Sequence, residues 1–340
     1  MTAVAGAEPL DALAEHAAHE ERLGRWDSAA QGYAQAFRAA LGTGEMTRAV
    51  NALRGQARVR QEQRRFEEAG ELAELSRTIA EAHGLTLESA RALNVLGIIR
   101  YAERRWAEAE ALYEEARSLA TDVGDDELVG LVCQNLGVLA NMQGKLREAR
   151  IHYLESIGAS VRSGNKEAEM MAYNNLGVAC SELREWMEAQ IYFERGIEIA
   201  ERLDALPYLV RFLANRAKPL LQFREFSRAR DTLARADEVA RRTGSRVGRV
   251  EVARLRGAVA RGEGDLAAAQ RFLDESLALA ADGGLELERA EALRELASLR
   301  ADQGRHDEVR ALLSAARRDF ARIGAAVEVE RTERMLHALG

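Results

Sequence analysis

An all-α fold of stacked helical hairpins is predicted, and three observations carry the prediction. Positions recur with a period of 40 residues, eight times over: Trp26, Phe66, Trp106, Leu146, Trp186, Phe226, Leu266 and His306 fall in one file. Three residues further on stand Ala29, Ala69, Ala109, Ala149, Ala189, Ala229, Ala269 and Val309. Within each row the apolar and small residues keep helical spacing, and each row closes on a glycine or, once, on an aspartate. A fixed period of roughly 20 to 50 residues means one supersecondary unit repeated in a row, so the whole fold follows from a single unit.

The first helix of each unit carries the file Ala17, Ala57, Gly97, Gly137, Gly177, Ala217, Gly257 and Ala297. Glycine inside a helix costs about 1 kcal/mol relative to alanine, so its recurrence predicts a close crossing by the second helix of the pair. A short turn follows, holding Gly24, Gly144, Gly264 and Gly304, or Arg64, Arg104, Arg184 and Arg224.

The second helix opens at the Trp/Phe file. Its buried stripe is the alanine file, then Tyr33, Ala73, Tyr113, Tyr153, Phe193, Leu233, Leu273 and Leu313, then the small residues Ala36, Ser76, Ala116, Ser156, Gly196, Ala236, Ser276 and Ala316. These fall at i, i+4 and i+7, one face of a helix. A neighbouring helix can approach closely where the small residue sits. Gly44, Gly84, Gly124, Gly164, Gly244, Gly284 and Gly324, with Asp204 as the exception, end these helices in a left-handed cap.

Residues 11–324 thus divide into eight units ending near 44, 84, 124, 164, 204, 244, 284 and 324. Residues 1–10 form an N-terminal tail. Residues 325–340 form an amphipathic capping helix, with Val327, Val329, Met335 and Leu336 set among Glu328, Glu330, Arg331 and Arg334. Stacked units touch only their neighbours and need a polar end cap, so one continuous array is expected.

Leu93, Leu96 and Gly97, followed by Trp106, Ala109, Tyr113 and Ala116, resemble the tetratricopeptide repeat, whose pattern joins a Leu-Gly step to an Ala-x3-Phe step in a helix-turn-helix unit. The likeness covers residues 11–324. It departs from that family's period of about 34 residues and lacks the proline at the end of the unit. The resemblance implies a right-handed α-α superhelix, a solenoid whose first helices line a concave groove that holds protein or peptide ligands. The segment from Phe320 to Leu336 resembles the closing helices of bacterial regulatory tetratricopeptide regions.

Composition narrows the function. Aromatic residues make up 5% and charged residues 30%, and the net charge of −7 is modest and interspersed. Nucleic-acid binders concentrate lysine and arginine to a pI above about 9; here the pI is 5.6, so no nucleic-acid partner is expected. No run approaches the roughly 18 apolar residues that span a bilayer, so no membrane is expected. Cys133 and Cys180 fall on first helices of successive units and read as free, buried thiols of a cytoplasmic protein.

Candidate binding residues lie on the first helices. Asn135, Asn175 and Asn215 recur one unit apart, joined one residue earlier by Asn94, Gln134 and Asn174. Asparagine is a poor helix-interior residue whose amide both donates and accepts. Such a ladder either holds the main chain of an extended peptide or bonds carbonyls of the next helix and fixes repeat geometry. Further along the same helices stand Arg91, Tyr101, Asn141, Glu182, Arg211, Lys218 and Gln222, with Arg54 and Arg58 on the preceding unit. Pointing inward, they give an amide-rich groove with basic flanks able to hold an acidic peptide through charge-assisted bonds. Pro219, inside the first helix of the sixth unit, is expected to kink or shorten it.

No phosphate-binding glycine loop occurs, the six histidines form no metal-binding pattern, and no histidine falls in register with either cysteine. A binding protein without catalysis, metal or cofactor is expected: an adaptor for a peptide or protein segment in the groove of units three to six, or alternatively a regulatory sensor that switches a partner on binding a small peptide.

Overall fold

The computed structural model describes residues 10–339. It comprises α1 (Leu10–Arg22), α2 (Trp26–Thr43), α3 (Met46–Glu62), α4 (Phe66–Ala82), α5 (Thr86–Ala102), α6 (Trp106–Asp122), α7 (Asp126–Met142), α8 (Leu146–Ser163), α9 (Lys166–Glu182), α10 (Trp186–Arg202), α11 (Leu206–Gln222), α12 (Phe226–Arg242), α13 (Arg246–Glu263), α14 (Leu266–Gly283), α15 (Glu286–Asp302), α16 (His306–Arg322) and α17 (Ala326–His337). There is no strand among the described residues. Most of the expected tail lies outside them; Leu10 already opens α1. The chain divides into two compact units within α9, after Ala172.

Each even-numbered helix starts on the Trp/Phe file and packs back on the odd-numbered helix before it. Gly97 shows how closely: a Cβ there would fall 2.4 Å from Cε1 of Tyr113, and at Gly137 one would fall 2.4 Å from Cε1 of Tyr153. These glycines are therefore sites of helix crossing, and the aromatic ring fills the space a methyl would need. In the first unit Tyr33 instead reaches forward, its ring lying against Gly55.

The small file has a second use. Ser76, Ser156 and Ser276 are fully buried, and each hydroxyl donates to a carbonyl on the preceding helix, Val50 at 2.9 Å, Gly130 at 2.7 Å and Val250 at 2.9 Å. A buried serine is satisfied at little cost where a carbonyl is within reach, so serine and alanine alternate freely in the file.

Both kinds of turn use a left-handed residue. The glycines that end the even-numbered helices have φ between 62° and 76°, and Asp204 takes 51° in the same place. The turn inside each hairpin is identical in form: Arg64, Arg104, Arg184 and Arg224 adopt φ of 58° to 62° where other units have glycine. Amide bonds close these turns, as with Arg65 N–H to the Arg60 carbonyl at 2.9 Å. Asp125, Asn165, Ser245 and Asp265 cap the following helices by accepting from a main-chain N–H three residues on.

Of the two expected effects of Pro219, shortening does not occur: α11 spans 17 residues, like most of the others. The proline sits in the last turn, where its missing N–H removes only one bond, and Pro207 occupies the first turn, where an N–H has no helical partner anyway.

Candidate functional site

In the first unit successive odd-numbered helices touch, α1 on α3, α3 on α5 and α5 on α7, while the even-numbered helices make no comparable contact with one another. In the second unit α11 touches α13 and α13 touches α15, again without an even-numbered counterpart. In a curved stack the elements on the inside crowd together, so the odd-numbered helices form the inner face of each unit.

On those helices a stripe at i, i+3, i+7 and i+10 escapes full burial. In α3 it is Asn51, Arg54, Arg58 and Gln61; in α5 it is Arg91, Asn94, Ile98 and Tyr101, with Asn94 the most covered; in α7 it is Leu131, Gln134, Val138 and Asn141. Leu131 is 46% exposed. Asn51, Gln61, Ile98, Leu131 and Val138 were not foreseen as candidates. The signal was available, because they occupy the register left over once the buried files of the first helix are removed.

The amides pair with each other. In the first unit Asn135 Nδ2 donates to Asn94 Oδ1 at 2.9 Å. In the second, Asn215 Nδ2 donates to Asn174 Oδ1 at 3.0 Å, Asn174 Nδ2 donates to Asn175 Oδ1 at 3.3 Å, and Lys218 Nζ donates to Asn215 Oδ1 at 2.8 Å. Asn94, Asn174 and Asn215 are buried; Gln134, Asn135 and Asn175 are half-buried. Asn94–Asn135 and Asn174–Asn215 thus tie together the inner helices of neighbouring repeats.

The cations are engaged too. Arg54 Nη1 donates to Glu88 Oε2 at 2.6 Å, with both side chains almost covered, and burial pulls the guanidinium below its usual range. Arg91 reaches Glu88 at 3.2 Å and Asp125 at 3.4 Å. Arg58 grips Glu21 through two bonds of 2.9 Å. Burial alone would raise the Glu21 pKa, but the bonds from Arg58 and Tyr33 hold its carboxyl below the usual carboxylate range.

In the second unit Lys218 lies 3.5 Å from Glu251, Arg254 3.1 Å from Glu291 and Arg261 3.2 Å from Glu295, and Arg294 pairs with Glu328. The expected basic flank is thus a row of ion pairs between successive odd-numbered helices. Arg211 lies over the Tyr208 ring at 5.4 Å, while Glu182 and Gln222 are exposed at the ends of α9 and α11.

Two inner-face atoms stay unsatisfied: Oδ1 of Asn51 and Oδ1 of Asn141 are buried with no hydrogen-bond partner. Tyr101 is half-buried beside Asn141 in the register.

On the outer side of the first unit, a cavity of about 510 Å³ opens between α6, α7 and α8, with Arg117, Cys133, Glu155 and Arg162 in its lining. Arg117 donates to Glu155 at 3.0 Å and Arg162 to Asp126 at 2.6 Å, so its cations are neutralised. Burial, with Glu155 3.6 Å away, pushes the Cys133 thiol up to about 12. A thiol so protonated is a poor nucleophile. Cys133 and Cys180 are both buried and outside any disulfide. Among the described residues no group of three His, Cys, Asp or Glu is placed to hold a metal ion, and no helix is long and apolar enough to cross a membrane.

The family model for the tetratricopeptide repeat matches residues 88–162 and 133–202. Residues 88–202 thus carry tetratricopeptide repeats. The fold is shared with solved structures. The apo form of RapI aligns at TM-score 0.74 and 12% identity, over 93% of this chain and 87% of that one. Aspartyl phosphate phosphatase F from Bacillus subtilis aligns at TM-score 0.66 and 10% identity, over 94% and 96%. The Rap conjugation gene regulator of plasmid pLS20, in complex with the Phr* peptide, aligns at TM-score 0.55 and 14% identity, over 88% and 78%. At such identities the likeness establishes the helical-repeat fold. No curated protein matches the sequence significantly.

Proposed function

We propose that this tetratricopeptide-repeat chain is a scaffold or adaptor that binds an extended protein or peptide segment on the inner faces of its odd-numbered helices. The observation that carries the reading is the part-exposed stripe on α5 and α7, where Ile98, Tyr101, Leu131, Gln134, Val138 and Asn141 combine apolar surface with amide and phenol groups. Helices packed this closely would ordinarily bury such residues or replace them with charge. The pLS20 regulator, solved with a peptide, has the same fold.

A neutral segment suits this face better than an acidic one, because Arg54, Arg58 and Arg91 already face carboxylates. Two buried thiols outside any disulfide suit a reducing cytoplasm.

The test uses affinity capture with two bulky variants of the first unit. Leu131→Trp crowds the inner face. Ile151→Trp, at a position 55% exposed on α8, alters only the outer one. Recovery of a specific partner is expected to fall with Leu131→Trp and stay unchanged with Ile151→Trp; equal recovery by both variants would overturn the assignment.

The sensor reading draws on the ion pairs that link α11 to α13, α13 to α15 and α15 to α17. They set the spacing of the inner helices, so a ligand that competes for them would change the pitch of the stack. Small-angle scattering with and without bound peptide separates the two: the sensor changes its radius of gyration, and the rigid adaptor does not.

A further inference from the structure

The outward surface of α8 differs in sequence from that of every other even-numbered helix. Ile151, Leu154 and Val161 stand there 55%, 45% and 51% exposed. Glu71, Glu74 and Glu81 hold the same places on α4, Asp231 and Arg241 hold two of them on α12, and Arg271 and Asp274 hold two on α14. Only α8 carries a large apolar side chain at all three. Single exposed apolar residues are ordinary, but a contiguous row of them marks an interaction surface.

With Gly158 the row falls at i, i+3, i+7 and i+10, the spacing of a seam between two helices. Gly158 is itself an exception, in a file that elsewhere reads Arg38, Thr78, Ser118, Glu198, Glu238, Ala278 and Arg318. A Cβ placed on it would meet nothing nearer than Arg162 Nη1 at 3.6 Å, so the space above it is open.

The row is complementary to its own reverse. When a second copy of α8 lies against it end for end, Leu154 meets Gly158 of the second copy and Ile151 meets Val161, so the largest side chain faces the residue that has none. The flanking charges match as well. Glu155 and Arg162 lie one turn apart from each other's mates on one side of the row, and in the reversed copy each Glu155 faces an Arg162. Their side chains are 46% and 59% exposed. Each already holds one partner within the chain, but with capacity to spare: Arg162 binds Asp126 through Nε and Nη2, leaving Nη1, and Glu155 takes Arg117 on Oε2, leaving Oε1.

We propose that the outward surface of α8 pairs with a second copy of the chain, α8 antiparallel to α8, in a two-fold dimer. A surface that meets itself closes after two chains, so no filament forms. Four seam residues a side fall short of the roughly 20 to 30 of a standard stable interface, so the dimer is a reversible one. The pairing uses an even-numbered helix and leaves the inner face open, so it is independent of the binding reading above.

Sedimentation velocity of the full chain over a range of concentrations tests it. The wild type is expected to pass from monomer toward dimer as its concentration rises to millimolar. Leu154→Glu and Gly158→Arg bring into the seam residue types native to the same files at Glu74 and Arg38, so both variants are expected to melt at the wild-type temperature when dilute. Each is expected to raise the dissociation constant about a hundredfold, a factor of about ten for each of the two Leu154–Gly158 contacts. Leu75→Glu, at a position on α4 that is also 45% exposed, is expected to leave the dimer unchanged. An equimolar mixture of Leu154→Glu and Gly158→Arg is expected to recover the dimer, because one contact then joins opposite charges and the other keeps leucine on glycine. A wild type that stays monomeric at millimolar concentration, wild-type association by Leu154→Glu, or a mixture that stays monomeric would each overturn the pairing.

Discussion

Gly137→Ala is the sharpest test of the packing that builds the inner face. A methyl at Gly137 would lie 2.4 Å from Cε1, 2.6 Å from Cδ1 and 2.9 Å from Cζ of Tyr153. Ordinary carbon contacts lie about 3.5 to 4.0 Å apart, so the overlap exceeds an ångström. Tyr153 is only 2% exposed, which leaves its ring nowhere to swing. Overpacking of this kind costs about 1 to 3 kcal/mol, and alanine's helix propensity returns about 1 kcal/mol. The net expectation is a loss of about 1 to 2 kcal/mol.

Gly158→Ala is the matched control. Its methyl would meet nothing nearer than an Arg162 nitrogen at 3.6 Å, so the full propensity gain of about 1 kcal/mol is expected. The files also supply the rescue: Ala217 faces Leu233 and Ala297 faces Leu313, so alanine stands opposite leucine in two units, while Gly257 faces Leu273 in a third. In a Tyr153→Leu background, Gly137→Ala is therefore expected to be neutral or stabilising. Urea midpoints followed by circular dichroism, compared under one set of conditions, measure all four proteins. Gly137→Ala with a midpoint at or above wild type would refute the crossing geometry.

Three further outcomes follow. Glu88→Ala leaves Arg54 almost covered and without its closest carboxylate, so a loss of about 3 kcal/mol is expected, with much of it recovered by adding Arg54→Met; urea midpoints of the single and double variants decide. Burial and its bond to Glu21 raise the Tyr33 phenol from its ordinary value near 10 to about 12. That stability is present below pH 10 and is lost as pH rises toward 12, so Tyr33→Phe should flatten the alkaline fall in melting temperature across that window. Arg64 holds φ of 59° at an exposed turn; Arg64→Gly removes its strain and is expected to raise stability by about 0.5 to 1 kcal/mol, read from the same melts.

The fold was legible because one side chain per file repeats its task. Gly97 and Gly137 could be read as crossings from recurrence alone, and the left-handed caps followed from Gly44 and its equivalents. Arginine in the hairpin turn was harder to read: nothing local distinguishes Arg64 from an ordinary helical residue until its φ is known. Pro219 leaves the length of α11 unchanged because its effect depends on distance from the helix end rather than on its presence.

The candidate site was legible only in part. Asn94 and Asn135 stand out as polar residues among apolar ones, but whether they face a ligand or each other depends on a contact across 41 residues. Arg54 and Arg91 read as a basic flank, while their partners Glu88 and Asp125 sit about one helix pair away in sequence, too far for local spacing to reveal.

Hydroxyl-radical footprinting of the full chain, alone and with a captured partner segment, tests the central claim most directly. If the odd-numbered helices are the working surface, Leu131 and Met142, both near half exposed on α7, lose reactivity when peptide is bound, while Ile151 and Leu154 on α8 keep theirs. Protection of Ile151 and Leu154 with Leu131 and Met142 unchanged would place the ligand on the outer face and contradict the account.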